Sequence, residues 1–380
     1  MRKHTRLGVE QEFFHELREG SRVKQEIVTN YFIAYNNVMA RPPRPKVGYA
    51  DLFAGPGRYR GGSGEFRKSI PLLVTEATIR EERFRQTVHL WFNEGDPANY
   101  EALKTAMGEI PGCETLWNQP RIDNRIVDST WVTKLQKLRT PTLVFLDPCG
   151  YKGLSLKLVQ SVLSGFGNDC IFFFNYSRIN MKLSLEIMNK SIDEFFETHR
   201  AQAIRANIAN CSPERREEII LDAVKSSIAE AGGIPLVFRF KSENGRISHH
   251  LVFASKSQKA ADMMKVILSR ASSVIKEGVG TGEHDPRATE KPPSLFAGLY
   301  EVEERVLRVY AGREIMLGNL LQLEGNTQFT ESNYRDAILN LELSRIIRPS
   351  GRRATFRTTA IPKGRHEANS SQRSDHSVLE

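Results

Sequence analysis

Between residues 21 and 39 the apolar side chains Val23, Ile27, Val28, Tyr31, Phe32 and Tyr35 fall at helical spacing and share one face. The run Arg41-Pro42-Pro43-Arg44-Pro45 ends that helix. The rhythm then changes. Residues 47–53 read as a strand that breaks at a glycine-rich turn, and residues 88–93, 142–146 and 170–174 are short and largely apolar. Continuous apolar runs of that length belong to strands covered on both faces. Helical patterns over residues 69–83, 97–107 and 130–137 alternate with them, with Pro71 tolerated in a first turn. A shorter strand is expected around residues 114–118, and residues 58–68, with neither period, are expected to form a flexible loop. The alternation predicts an α/β fold around a parallel sheet.

Residues 178–232 are helical by pattern throughout and read as an insertion carried on that core. Residues 235–241 and 249–254 then flank Glu243-Asn244-Gly245-Arg246, a hairpin signal, and a helix is expected over 259–275. The stretch 277–297, rich in Gly, Pro and charge, reads as a linker. Beyond it, three amphipathic helices are expected at 300–310, 314–322 and 331–343, followed by a basic hairpin of 345–348 with 354–358. Three helices and a hairpin are the plan of a winged-helix module. The expected organisation is therefore an N-terminal helical segment (1–46), a main domain (47–276), the linker, a winged-helix-like domain (298–360) and a disordered polar tail (361–380).

Composition narrows the class. Hydrophobic residues make up 40% and charged residues 26% of the chain, as in globular proteins. No apolar run approaches the roughly 20 residues of a membrane span. The basic start Met1-Arg2-Lys3 is followed by Glu10, Glu12 and Glu16 rather than by a signal-peptide core. The four cysteines form no paired motif and no His cluster has metal spacing, so reduced thiols, a cytoplasmic protein and no structural metal are expected. Net charge is +9, and from Arg345 to Arg373 eight basic residues face one acid, Glu367. That excess suits a polyanionic partner, or equally a solvated tail.

The chemistry concentrates at strand ends. Asp51-Leu52-Phe53-Ala54-Gly55-Pro56-Gly57 between a strand and a helix is the arrangement that brings a nucleotide to the carboxyl edge of a parallel sheet, with Gly55 and Gly57 leaving room for close approach. Glu94, at the end of the second long strand, can accept hydrogen bonds from both ribose hydroxyls. No phosphate-cradling P-loop motif occurs. At the end of the 142–146 strand stands Asp147-Pro148-Cys149-Gly150-Tyr151, which resembles the acid, two prolines and aromatic that hold a target amine and stack its base in amino-methyltransferases. The likeness implies Asp147 and the Pro148 carbonyl as acceptors of the amine's hydrogens and Tyr151, one position later than the usual aromatic, as the stacking ring. Cys149 reads either as a nucleophile or as a small buried residue. Asn175 and Arg178 follow the 170–174 strand beside the same cleft, for orienting substrate and for phosphate respectively. His249-His250 reads as structural.

The glycine string resembles the first motif of S-adenosylmethionine methyltransferases more than a dinucleotide fingerprint. Together with Phe92-Asn-Glu-Gly-Asp-Pro97, Phe145-Leu-Asp-Pro-Cys-Gly-Tyr151, the helix bearing Lys24 and Leu251-Val-Phe-Ala-Ser255 before Met263-Met264, it resembles the three-Cys-motif partner family, TcmP, over about residues 20–275. That family comprises methyltransferase-like Rossmann proteins, mostly of prokaryotes and mobile elements, named for a neighbouring protein with three spaced cysteines. The resemblance implies a class I methyltransferase sheet, S-adenosylmethionine as cofactor and a three-Cys-motif protein as partner. Asp51, Phe53, Gly55, Gly57 and Glu94 would hold the cofactor; Asp147, Pro148, Tyr151 and Asn175 would serve catalysis; Arg178, Arg348, Arg352, Arg353 and Arg357 would meet nucleic acid. Two functions follow: methyl transfer to a nucleic acid, or a non-catalytic nucleic-acid-binding adaptor on the same fold. A hydrolytic reaction on another nucleotide is a third.

Overall fold

A computed structural model describes residues 6–40, 46–60, 66–148, 153–183, 189–276, 279–288, 300–310, 313–325, 327, 329–343, 347–349 and 355–358. The chain divides into two compact units, residues 1–275 with 280–292, and 276–279 with 293–380. In the first, α1 (Arg6–Met39) precedes β1 (Val47–Asp51), the hairpin β2 (Arg58–Arg60) and β3 (Phe66–Lys68), and α2 (Ile70–Arg80). Next come α3 (Glu82–Thr87), β4 (Val88–Asn93), α4 (Pro97–Gly108), β5 (Arg121–Asp123) and α5 (Thr130–Gln136). After β6 (Thr142–Leu146), α6 (Leu156–Leu163) and β7 (Asp169–Phe174), four helices follow: α7 (Tyr176–Leu183), α8 (Asn189–Phe196), α9 (Thr198–Ile208) and α10 (Pro213–Glu230). Next come β8 (Ile234–Lys241), β9 (Ile247–Ser255), α11 (Gln258–Ala271) and the short strands β10 (Ile275–Lys276), β11 (Val279–Gly280) and β12 (Glu283–His284).

Eight strands form one sheet in the order β12-β8-β9-β7-β6-β1-β4-β5. Only β9 runs against its neighbours. Leaving aside the edge strand β12, the chain order across the sheet is 3-2-1-4-5-7-6 with a reversed seventh strand. This is the class I methyltransferase variant of the Rossmann sheet. Alternation within each strand sorts its side chains into two cores. Tyr49, Phe92, Phe145, Ile171, Leu251 and Phe253 pack with α1, α2, α4 and α11. Ala50, Leu52, Val144, Leu146, Phe172, Val252 and Ala254 pack with α5, α6 and the helices of the insertion. Helix α1 docks through Tyr31 as well as by burial, because its hydroxyl donates to Asp169 at 2.6 Å.

Three expectations are corrected in this unit. Residues 58–60 and 66–68, expected in a flexible loop, pair as an antiparallel hairpin, because residues on either side of the glycine-rich centre hold extended backbone in register. The strand expected at 114–118 is a 3-10 turn, Cys113–Thr115, and the sheet is extended instead by Arg121–Asp123. Residues 283–284, inside the expected linker, add an edge strand parallel to β8, fastened by Lys241 and Arg239 to the Glu283 carboxylate at 2.6 and 3.1 Å. Helix α6 had no clear sequence expectation, although Leu156, Leu158, Val159 and Val162 are all buried.

The second unit runs α12 (Tyr300–Tyr310), β13 (Glu314–Met316), α13 (Leu317–Leu323), α14 (Glu331–Leu343), β14 (Ile347–Pro349) and β15 (Thr355–Thr358). Residues 314–316, expected to open a helix, are a strand paired with β15, which also pairs with β14. Its core gathers Val302, Val306, Leu320, Ala337 and Leu341. One buried carboxylate, Glu324, accepts from Arg305, Tyr310 and Tyr334 at 2.6, 2.7 and 2.8 Å, so its charge is matched by donors on two helices.

No helix among the described residues is long and apolar enough to cross a membrane. The lower core face of the first unit leans on Trp131, which is 1% exposed and stacks on Trp91 with ring centroids 5.3 Å apart. Trp131→Ala is expected to lower stability by about 3–5 kcal/mol. A denaturant titration followed by far-UV circular dichroism measures this, and a loss below about 1 kcal/mol would contradict the packing.

Candidate functional site

Strand order reverses between β1, which continues through β4 on one side, and β6 on the other. Such a switch point leaves a crevice at the carboxyl ends of the strands. The turn leaving β1 is held from several directions. Asp51 accepts the Phe53 N–H at 3.0 Å, Leu52 N–H donates to the Phe145 carbonyl at 3.2 Å, and Ala54 N–H donates to the Asn93 carbonyl at 2.9 Å. Gly55 and Gly57 have φ of +67° and +82°, a region that side chains rarely enter. A Cβ at Gly57 would also stand 3.0 Å from Ala106 Cβ on α4. Helix packing and backbone hand thus require these glycines before any ligand is considered.

Glu94 faces that turn. Its carboxylate accepts the Gly55 N–H at 2.7 Å and the Asp96 N–H at 2.8 Å. Asn124 donates to the Glu94 carbonyl at 2.7 Å, so the end of β5 supports the same point. Asn93, fully buried, donates to the carbonyls of Leu52 and Arg125 at 3.0 and 2.9 Å, clamping three strand ends together. Sequence reading missed Asn93; an amide closing an apolar run directly before an acid was its one signal. Beside this point Ile126 is 78% exposed, an apolar surface next to Gly95.

A second polar group lies between the β1 and β6 ends. Asp51 is almost fully buried, and desolvation pushes its carboxyl up to about 8, with neighbouring Asp147 adding to the effect and Lys24 opposing it. Asp147 pairs with the Lys24 ammonium of α1 at 2.5 Å. That ammonium also sits 4.4 Å from the centre of the Phe173 ring. Tyr49 reaches toward the same carboxylates; its buried hydroxyl has no hydrogen-bond partner among the described residues, nor does that of Ser69. His249 stacks on Phe173 at 4.8 Å, and burial with Lys24 nearby pushes its imidazole down to about 3, so the ring is neutral. Read from sequence as purely structural, His249 lies at this edge. His250 instead hydrogen-bonds Glu217 at 2.7 Å on the opposite face.

The other expected site residues fall as follows. Phe53 is half-buried against the lower core, and Pro148 is buried. Asn175, 8% exposed, accepts the Arg178 N–H and the Ser177 hydroxyl, each at 3.1 Å, which caps the start of α7. Arg178 is exposed one turn along. Cys149, Tyr151, Arg352, Arg353 and the tail 361–380 lie outside the described residues. Arg348 and Arg357 are paired across β14 and β15. No group of three His, Cys, Asp or Glu side chains among the described residues is placed to hold a metal ion.

No protein-family model matches this chain, and no curated protein matches it by sequence. Solved structures align with it distantly. A Legionella pneumophila protein matching the family model DUF519 aligns at TM-score 0.38 and 11% identity, over 62% of this chain and 84% of its own. Magnesium protoporphyrin IX methyltransferase from Synechocystis, with bound SAH, aligns at TM-score 0.32 and 11% identity, over 62% of this chain and 85% of its own. The methyltransferase domain of bacterial CtHen1 aligns at TM-score 0.31 and 10% identity, over 62% of this chain and all (100%) of that domain. Similarity this distant carries no inference about the chemistry of the site.

Asp51 generates a pH dependence. Its carboxyl titrates well above the unfolded value, so its stabilising contribution is complete below about pH 4 and is lost as pH rises toward about 8. Asp51→Asn, which keeps the acceptor for Phe53 N–H and stays neutral, is expected to lose less thermal stability than the wild type between pH 5 and pH 8. Parallel melting-temperature profiles for the two proteins would contradict this.

Proposed function

We propose that this protein binds S-adenosylmethionine at the β1 turn and acts on an amino group of a nucleic acid. The observation that carries the reading is Glu94, whose carboxylate stands at the end of β4 within hydrogen-bond reach of the positive-φ glycine turn. In that position it can exchange its two backbone donors for the two hydroxyls of a ribose. Gly55 and Gly57 would lie along the cofactor, Phe53 and Asp51 would shape the turn, and exposed Ile126 offers an apolar face for a purine. The unpartnered hydroxyls of Tyr49 and Ser69 at the turn are consistent with a polar ligand. When bound, the cofactor supplies an electrophilic methyl on a sulfonium.

The remaining work belongs to the chain. Asp147 and the Pro148 carbonyl would accept the hydrogens of the acceptor amine and orient its lone pair, Tyr151 would stack on the attached base, and Asn175 would orient the substrate. Such a site acts mainly through alignment. The second unit's order of helix, strand, two helices and two strands supports a winged-helix reading, with Arg348 and Arg357 on its two paired strands and Arg352 and Arg353 between them in sequence as phosphate contacts; Arg178, in the first unit, would meet phosphate separately. Membership of the TcmP family, a three-Cys-motif protein as partner and a cytoplasmic location complete the proposal.

One observation favours a second reading. Asp147 is already neutralised by Lys24 of the same chain, as suits an adaptor that keeps the fold without catalysis. Calorimetry with S-adenosylhomocysteine tests the cofactor site: the wild type binds, and Glu94→Gln weakens binding at least about tenfold by removing a charged acceptor. A wild type that does not bind, or a variant that binds equally well, would remove the basis of the enzymatic reading. Transfer of labelled methyl to mixed nucleic acid then separates enzyme from adaptor.

A further inference from the structure

The hairpin β2–β3 leaves the glycine turn directly and returns to it. Its base is closed by the Ser69 N–H donating to the Gly57 carbonyl at 2.8 Å. Gln25 of α1 donates to the Lys68 carbonyl at 2.9 Å, which fixes the returning strand to the body of the unit. Arg58 pairs with Glu109, and Lys68 with Glu76. These are contacts of a positioned element whose orientation is set where it joins the turn.

What the hairpin presents is unusual for a surface element. Tyr59 is 50% exposed and Phe66 is 65% exposed, in strands of only three residues each. Tyr59 stands opposite Arg67, which is also exposed. Residues 58–68 contain four basic side chains (Arg58, Arg60, Arg67, Lys68) against one acid, Glu65, and of these Arg58 and Lys68 are ion-paired with Glu109 and Glu76. The tip of Tyr59 adjoins Gly55, since a Cβ there would collide with its hydroxyl. An exposed aromatic surface bordered by Arg67 therefore begins at the turn that Glu94 touches.

We propose that this hairpin is a docking surface for single-stranded nucleic acid, with Tyr59 and Phe66 stacking on unpaired bases and Arg67 facing the phosphates. The inference rests on the nucleic-acid reading given above and specifies its partner. Cations alone would draw duplex and single strand alike, because both are polyanions. Exposed aromatic faces add a term that only splayed bases can satisfy, and stacking of this kind tolerates any sequence. The position fits an acceptor strand, because a base stacked on Tyr59 lies beside the turn at which the methyl donor would be held.

Fluorescence anisotropy of the full chain with a short labelled DNA strand, its RNA counterpart and the duplex tests the proposal, at several salt concentrations. The wild type is expected to prefer either single strand to the duplex. Tyr59→Ala with Phe66→Ala should weaken single-strand binding about tenfold or more while the salt slope stays the same. Arg67→Ala should weaken all forms by a similar factor and make the salt slope shallower by about one. Both aromatics are exposed, so unchanged melting curves certify folded variants, and Phe66→Ala alone gives an independent arm away from the glycine turn. If the wild type binds single strands and the double variant binds as tightly, the hairpin assignment fails while the nucleic-acid reading stands. A preference for duplex also overturns it. If the wild type binds no nucleic acid, both fall together.

Discussion

One carboxylate joins the parts on which the site depends. Glu94 closes β4, and its two oxygens accept N–H groups from Gly55 on the β1 turn and from Asp96 at the start of α4. Two backbone donors that would otherwise be unsatisfied at a strand end and a helix start are met by one side chain. The charge is tolerated there because Glu94 is only partly buried and the donors point at it. Without it, Gly55 would lose its tie to the end of β4, leaving the turn to the contacts of Leu52, Ala54 and Gly57 with Phe145, Asn93 and Ser69, and the switch-point crevice would lose a defined wall.

The deeper carboxylates behave differently. Asp51 lies under the turn, almost excluded from water, and keeps its place by being a hydrogen-bond acceptor rather than an ion near neutral pH. Asp147, more exposed, is matched by the Lys24 ammonium at 2.5 Å. The two acids at neighbouring strand ends therefore sit in different surroundings, one desolvated and the other ion-paired. A desolvated carboxyl and an ion-paired one in the same crevice place a proton donor beside an acceptor.

Much of the fold was legible because its signals are local. Runs such as Thr142–Leu146 and Asp169–Phe174 announce strands buried on both faces, and Asn244-Gly245 announces the turn between β8 and β9, where Gly245 has φ of +73°. Glu94 and the two glycines could be found for the same reason, since each stands at the end of a readable strand. The failures also have physical causes. Three-residue strands such as Arg121–Asp123 and Phe66–Lys68 carry too few positions to show a period, and pairing partners decide them instead. Strand Glu283–His284 is fixed by ion pairs to residues some forty positions earlier, which no local pattern records.

The same distinction separates the readable half of the site from the unreadable half. Lys24 and Asp147 are 123 positions apart, and nothing in either neighbourhood says that a helix preceding the first strand will lay its ammonium on the end of β6. Sequence identifies which groups have the chemistry, whereas topology decides which of them meet. His249 illustrates the point. In an alternating strand it looks like one more half-buried position, yet because β9 is reversed its early residues lie beside the carboxyl end of β7, and the ring stacks on Phe173 within the crevice. A reversed strand next to a parallel set brings the beginning of one strand to the functional end of another. Residues at the start of β9 therefore carry as much potential for function as those at the ends of β1, β4 and β6, and the antiparallel insertion widens the set of side chains this edge can use.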